Sequence, residues 1–145
     1  MTDRTNSLRQ IEHEVGVLIR RVRRVIRDRA RSVHPELQPA TYLLLTQLDE
    51  AGPLRAAALV DATGVDKGAI SRQVQQLVDL GLLTRTQDPD DGRATLLQVT
   101  DDAHVRLRRV QRVRRRRFDR RLDEWSDADL ADFATRLADY NAALD

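Results

Sequence analysis

The sequence predicts a mainly α-helical chain that carries one small β-hairpin. Three features point that way: long stretches with apolar residues at three- and four-residue steps, proline and glycine at the breaks between them, and one short alternating pair of segments around an aspartate- and glycine-rich turn. Composition agrees. One third of the 145 residues are charged and only 3% are aromatic, which favours amphipathic helices over a large β core. A chain of this length buries enough surface to fold as one domain with helical extensions, and a second catalytic domain is not expected.

Leu8, Ile11, Val15, Leu18, Val22 and Val25 line one face of a long first helix, which should meet another helix along that seam. It ends near Val33-His34-Pro35, because proline lacks an N–H and disfavours helical geometry in the residue before it. Pro39 suits the first turn of a second helix, with Leu43, Leu44 and Leu48 expected inward, and Gly52-Pro53 ends it. A shorter helix over about 55–62 leads to Thr63-Gly64-Val65. Gly64 can take the left-handed conformation of a tight turn, and Asp66 can cap the following helix by accepting from a free amide. Leu59, Val65, Ile70, Val74 and Leu77 would form the core between the two crossed helices, which is the spacing of a helix-turn-helix.

After Gly81, residues 82–87 and 94–99 read as strands joined by the turn DPDDGR, residues 88–93, forming a wing behind the helix-turn-helix. Asp91 and Arg93 are expected to pair and stiffen its tip, while Asp88 and Asp90 read as a solvated acidic turn. Thr100 should cap a long helix bearing Asp101 and Asp102 in its first turn, with Leu107, Val110, Phe118, Leu122 and Trp125 as apolar positions. Ser126 and Asp129 form a capping box with Asp in place of the usual Glu or Gln. The last helix then places Leu130, Phe133, Ala134, Leu137, Asn141 and Leu144 on one stripe. These terminal stripes have little of their own chain to pack on. The expected architecture is therefore a winged helix-turn-helix over residues 38–100, flanked by N-terminal (1–37) and C-terminal (101–145) dimerisation helices.

With Ile70, Val74, Leu77 and Val78 inward, the helix opening at Asp66 presents Gly68, Arg72, Gln75, Gln76 and Asp79 outward, with Lys67 and Ser71 on its flanks. Such residues suit DNA: arginine can pair with guanine, glutamine with adenine, and small residues let the backbone approach the groove. Arg93 is placed to reach a narrow minor groove and Arg85 a phosphate. The DNA-binding set is Lys67, Gly68, Ser71, Arg72, Gln75, Gln76, Arg85 and Arg93; an ordinary polar helix face is the plainer meaning of the same residues.

The stretch from Leu54 to Thr100, with DKGAISRQVQQLVDLGLLTR leading into DPDDGRATLLQVT, resembles the recognition helix and wing of the MarR family. That family's Asp-x-Arg element and Leu-Thr step correspond to Asp91, Arg93 and Val99-Thr100. Gly92 and Ala103 depart from it, standing where a basic residue and a glycine are common. The element order matches along the whole chain, the specific motifs only in its middle third. The resemblance implies a homodimer joined through the first helix and the last two, binding a roughly palindromic operator as a transcriptional regulator, a repressor first of all. It also implies a small aromatic or anionic effector, for which His13, Tyr42, His104 and Arg108 are the candidate pocket residues.

Other classes fit less well. With 25 basic and 23 acidic side chains the net charge is only +2, so overall charge argues little. Its distribution argues more: arginines crowd 20–31 and 106–121, whereas 123–145 is acidic apart from Arg136, a pattern suited to ion pairing within a folded dimer. No nucleophile with a base, paired catalytic carboxylates or phosphate-cradling loop stands out, so an enzyme is not expected. The lack of cysteine removes a thiol switch, and no histidine has the four-residue neighbour of a helical metal site; neither metal nor cofactor is expected. No signal core or membrane span is evident, which places the chain in the cytoplasm. Two alternatives remain: a winged-helix protein-interaction module without DNA readout, and membrane-surface binding through the arginines at 112–121, which would compete with dimer packing for the same helix.

Overall fold

A computed structural model describes residues 2–144. The described residues divide into two compact units, within 1–110 and 111–145. The first opens with α1 (Asp3–Val33). It stops where expected: His34, before Pro35, is extended at φ −155° and ψ 136°, while its N–H still closes the last turn on the Ala30 carbonyl. Only Ala30 and Val33 of α1 are buried, and Leu8, Ile11, Leu18 and Val22 stand exposed along the stripe read from the sequence.

Helix α2 (Pro39–Ala51) has Pro39 in its first turn and ends at Gly52, whose φ of 79° is one only glycine adopts freely. Thr41, Tyr42, Leu44, Leu45 and Leu48 are buried. Leu43 is not inward as expected but exposed, because the buried arc of α2 runs through 41, 44, 45 and 48 and position 43 falls opposite it.

Leu54–Arg55 forms a two-residue strand, β1, that was not anticipated. It leads into α3 (Ala56–Thr63), and Gly64 then turns the chain in the left-handed region at φ 64° and ψ 8°. Helix α4 (Lys67–Asp79) follows. Leu59, Ile70, Val74 and Leu77 are buried between α3 and α4, but Val65 is exposed. It sits in the link between the Gly64 turn and the Asp66 cap, outside both helical faces.

Strands β2 (Leu83–Gln87) and β3 (Thr95–Val99) make the expected hairpin, with Leu83 opposite Val99 and Arg85 opposite Leu97. Strand β1 pairs with the other edge of β3, so the sheet is three-stranded and antiparallel in the order β1-β3-β2. Helix α5 (Asp101–Arg121) is capped by Thr100, whose hydroxyl accepts from the Ala103 N–H and donates to the Gly81 carbonyl, tying the helix start to the turn after α4. Leu45, Leu48, Leu59, Ile70, Leu77, Leu82, Leu83 and Leu107 are fully buried in one core that fixes α2, α4, the sheet and the start of α5.

In the second unit, α6 (Asp127–Ala142) opens with a complete capping box: the Asp129 N–H donates to the Ser126 hydroxyl, and the Ser126 N–H donates to the Asp129 carboxylate. The shorter Asp serves where Glu or Gln is usual. Trp125 meets Phe133 edge to face at 5.7 Å, and the Arg114 guanidinium lies 5.8 Å from the Phe118 ring. Of the apolar residues expected in α5, Leu107 and Val110 are buried while Phe118 and Trp125 are exposed, Trp125 lying beyond the helix end. No residue of α6 is buried.

Candidate nucleic-acid interface

The site begins at the entry to α4. Asp66 accepts from the N–H groups of Gly68 and Ala69 at 3.0 and 3.2 Å, which satisfies two of the donors a helix start leaves over. Gly68 has a structural reason beside the functional one: a Cβ there would lie 2.9 Å from the Asp66 carboxylate oxygen and 3.4 Å from Nη1 of Arg72. The bare glycine thus admits the cap and leaves room for the guanidinium one turn on.

Lys67, Ser71, Arg72 and Gln75 are exposed, Arg72 and Gln75 on the side of α4 away from Ile70, Val74 and Leu77 and Lys67 and Ser71 on its flank. Neither Lys67 nor Arg72 has an ion-pair partner among the described residues. Gln76 departs from this face. It is half-buried, its Oε1 accepts from the Thr41 hydroxyl at 3.0 Å, and its Nε2 donates to the Glu36 carbonyl at 3.2 Å. Both ends of the amide fasten α4 to the entry of α2, so Gln76 helps to position the helix. The helical period put it outward, but the segment that covers it is 35 to 40 residues away in sequence.

Gln75 is also engaged, though it remains exposed. Its Nε2 donates to Asp79 at 2.8 Å, and its Oε1 accepts from Nη2 of Arg85 on β2 at 2.9 Å. Arg85 therefore reaches back to α4.

At the wing, Asp91 does not form the expected side-chain pair with Arg93. Its carboxylate accepts the Arg93 backbone N–H at 3.1 Å, a turn-forming bond that leaves the Arg93 guanidinium free of any ion pair among the described residues. Asp88 overturns its assignment to solvent. It is buried, accepts from the Asp90 N–H at 2.9 Å, and is gripped by Arg55 through Nε at 2.8 Å and Nη2 at 2.6 Å. Sequence reasoning missed Arg55, since the pairing depends on β1 joining the sheet. The signal available was a basic residue between two helices, too common to single out.

These bonds hold the Asp88 carboxyl below its ordinary value of 3.8, the Asp90 N–H first and Arg55 next. A carboxylate with a depressed folded-state value stabilises the fold fully above its ordinary value, and that contribution disappears as pH falls through it toward the lowered one. The melting temperature of Asp88→Asn should therefore lie below that of the parent at neutral pH, and the gap should close below about pH 4. A gap independent of pH would show that Asp88 acts by shape and not by charge. Asp129 is lowered in the same sense by the Ser126 hydroxyl and N–H, and contributes to the same acid limb.

The four candidate effector residues do not share one environment. Tyr42 belongs to the buried core, and Nδ1 of His104 lies 2.7 Å from the Asp49 carboxylate. His13 and Arg108 are exposed on α1 and α5. Among the described residues there is no group of three His, Cys, Asp or Glu side chains able to hold a metal ion.

Residues 36–94 match the model of the MarR family, a span that contains α2, the helix-turn-helix and most of the wing. Over 139 residues, and 96% of each chain, the sequence is 35% identical to the uncharacterized HTH-type transcriptional regulator YxaD of Bacillus subtilis. It is 28% identical over 104 residues to the HTH-type transcriptional repressor NicR of Pseudomonas putida, covering 70% of this chain and 66% of that one. Among solved structures, a MarR-family regulator from Listeria monocytogenes, complexed with a 26mer DNA, superposes with a TM-score of 0.69 at 17% identity, covering 91% of this chain and 87% of that one. A likeness at that identity speaks to the fold, and it is the same mainly helical winged fold. The relatives are transcriptional regulators and not enzymes. By its match along nearly the whole of a curated relative and to the family's own model, this chain belongs to the MarR family of transcriptional regulators.

Proposed function

We propose that the protein is a sequence-specific DNA-binding repressor that grips a palindromic operator as a homodimer and is released by a small effector. The observation that carries this reading is an imbalance of charge on one surface. Asp88 is paired with Arg55, and Asp66 and Asp91 are turned to backbone N–H groups of the helix start and the turn, while Lys67, Arg72 and Arg93 form no ion pair among the described residues. Uncompensated cations on an exposed helix and an adjacent wing fit phosphates and base edges. A repressor among the relatives and a DNA complex among the structural neighbours support the same reading. Residues 38–100 would be the DNA-binding part, and the flanking helices would dimerise. A two-fold axis sets the second α4 about 34 Å away, one turn of B-DNA further on. No described helix is long and apolar enough to cross a membrane.

Selection of bound fragments from the organism's genomic DNA tests this directly, and recovery of an inverted repeat is the expected result. Failure to enrich any sequence would remove the proposal. Arg72→Ala should cost about 1 to 3 kcal/mol of operator binding and relax preference at one base position. Equal weakening on every duplex would show that Arg72 meets a phosphate instead. For the effector, aromatic or anionic in class, His13 and Arg108 are the exposed polar groups left once Tyr42 and His104 are engaged. A thermal-shift screen of phenolic acids, followed by release of bound duplex, checks that part.

A further inference from the structure

Resting on the DNA reading above, we propose that Gln75 reads adenine at one base pair of each half-site, and that Asp79 and Arg85 are positioning residues that lock its amide in the adenine-reading orientation.

The chemistry of the three side chains allows a single arrangement. An ionised carboxylate only accepts and a guanidinium only donates, so the amide nitrogen must face Asp79 and the amide oxygen must face Arg85. The 2.8 and 2.9 Å distances place both bonds in the normal range. Turning the amide over would set donor against donor and acceptor against acceptor. One N–H of Nε2 and one lone pair of Oε1 remain, and Gln75 is exposed. One donor beside one acceptor complements the major-groove edge of adenine, where N7 accepts and the N6 amino group donates. Guanine presents two acceptors there. A free glutamine can rotate and offer both N–H groups to them, whereas the locked one has already given one to Asp79.

Asp79 is otherwise a poor choice for its position. It is the last residue of α4, at the negative end of the helix dipole, on a surface meant for phosphates. Its bond to Gln75 accounts for a carboxylate there. Arg85 comes from β2, so the lock also sets the wing strand against the recognition helix.

The test begins with randomised duplexes enriched by the full-length protein. Affinities are then measured for the enriched duplex and its single-base variants, with the parent, Gln75→Ala, Asp79→Asn and Arg85→Met. The parent should prefer adenine over guanine at one position per half-site by about 5- to 150-fold. Gln75→Ala should erase that preference and leave the other positions alone. An Asn side chain donates as well as accepts, so Asp79→Asn should shrink the preference while binding to unrelated duplex stays equal or tightens, a negative charge having gone. Arg85→Met should shrink it too. A merely structural role for Asp79 would lower the melting temperature and all affinities together, and that result overturns the lock. Base preferences unchanged at every position in Gln75→Ala overturn the reading by Gln75. A parent protein that enriches no duplex defeats the DNA reading itself, and the lock with it.

Discussion

Raising salt from about 50 to 200 mM is expected to weaken operator binding by about 10³- to 10⁵-fold, the loss that follows when a protein neutralises ~6 to 10 phosphates. Each neutralised phosphate releases condensed counterions, and the entropy gained falls as bulk salt rises. The surface of one subunit supplies Lys67 and Arg93 without ion pairs, and the Arg85 guanidinium has N–H groups left after its bond to Gln75. Two subunits double that number and bring it into the required range. Among the neighbouring acids Asp88 is paired with Arg55, so these cations stay unpaired in a chain whose net charge is only +2. Titrating an enriched duplex at four or five salt concentrations gives the slope. A flat response would show that these side chains do not meet phosphates.

If the protein pairs as proposed, removing the residues from Ser126 onward should abolish the homodimer, leaving monomer or aggregate on size-exclusion chromatography. Helix α6 has no buried residue, and its Leu130, Phe133 and Leu137 are exposed, as is Leu144, which was expected on the same stripe but lies just beyond the helix end at Ala142. A helix of this length is marginal in water without packing, so its apolar stripe needs a cover. Full burial of such a side chain is worth about 1.5 to 3 kcal/mol, and the part still exposed here, 37 to 67%, is what association can add, summed over both subunits. Leu130→Asp with Leu137→Asp separates dimer loss from general collapse, since it leaves the Trp125–Phe133 contact in place. Both positions are exposed in the single chain, so the subunit should keep its helical spectrum and its main melting transition while the dimer dissociates. Operator affinity should fall with it, since one recognition helix spans too few base pairs for tight specific binding. A double variant that stays dimeric would place the interface elsewhere.

Periodicity and punctuation made much of the fold legible. The stops at Pro35 and Gly52, the left-handed Gly64 and the caps at Asp66, Thr100 and Ser126 are properties of a few adjacent residues, and each is found where those residues imply it. The stripe on α1 and the inward face of α4 follow from helical spacing alone. The errors share a cause. Leu43 and Val65 are apolar residues beside buried ones, and only the direction of each local chain segment decides that they point outward. Strand β1 is two residues long, too short to show a period, and exists because β3 has a free edge beside it.

The candidate site divides in the same way. Residue types and spacing by themselves determined that a helix opens at Asp66, that a wing follows it, and that Lys67, Arg72, Arg85 and Arg93 are the basic groups the two elements carry. Tertiary structure decided which polar groups are already in use: Gln76 bound to Thr41 and Glu36, Asp88 gripped by Arg55, and Gln75 held between Asp79 and Arg85. The physical reason is one of range. Caps, turns and helical faces are set by neighbours within about one helical turn along the chain, whereas a side-chain hydrogen bond across 33 or 35 residues exists only once the core has brought two distant segments together.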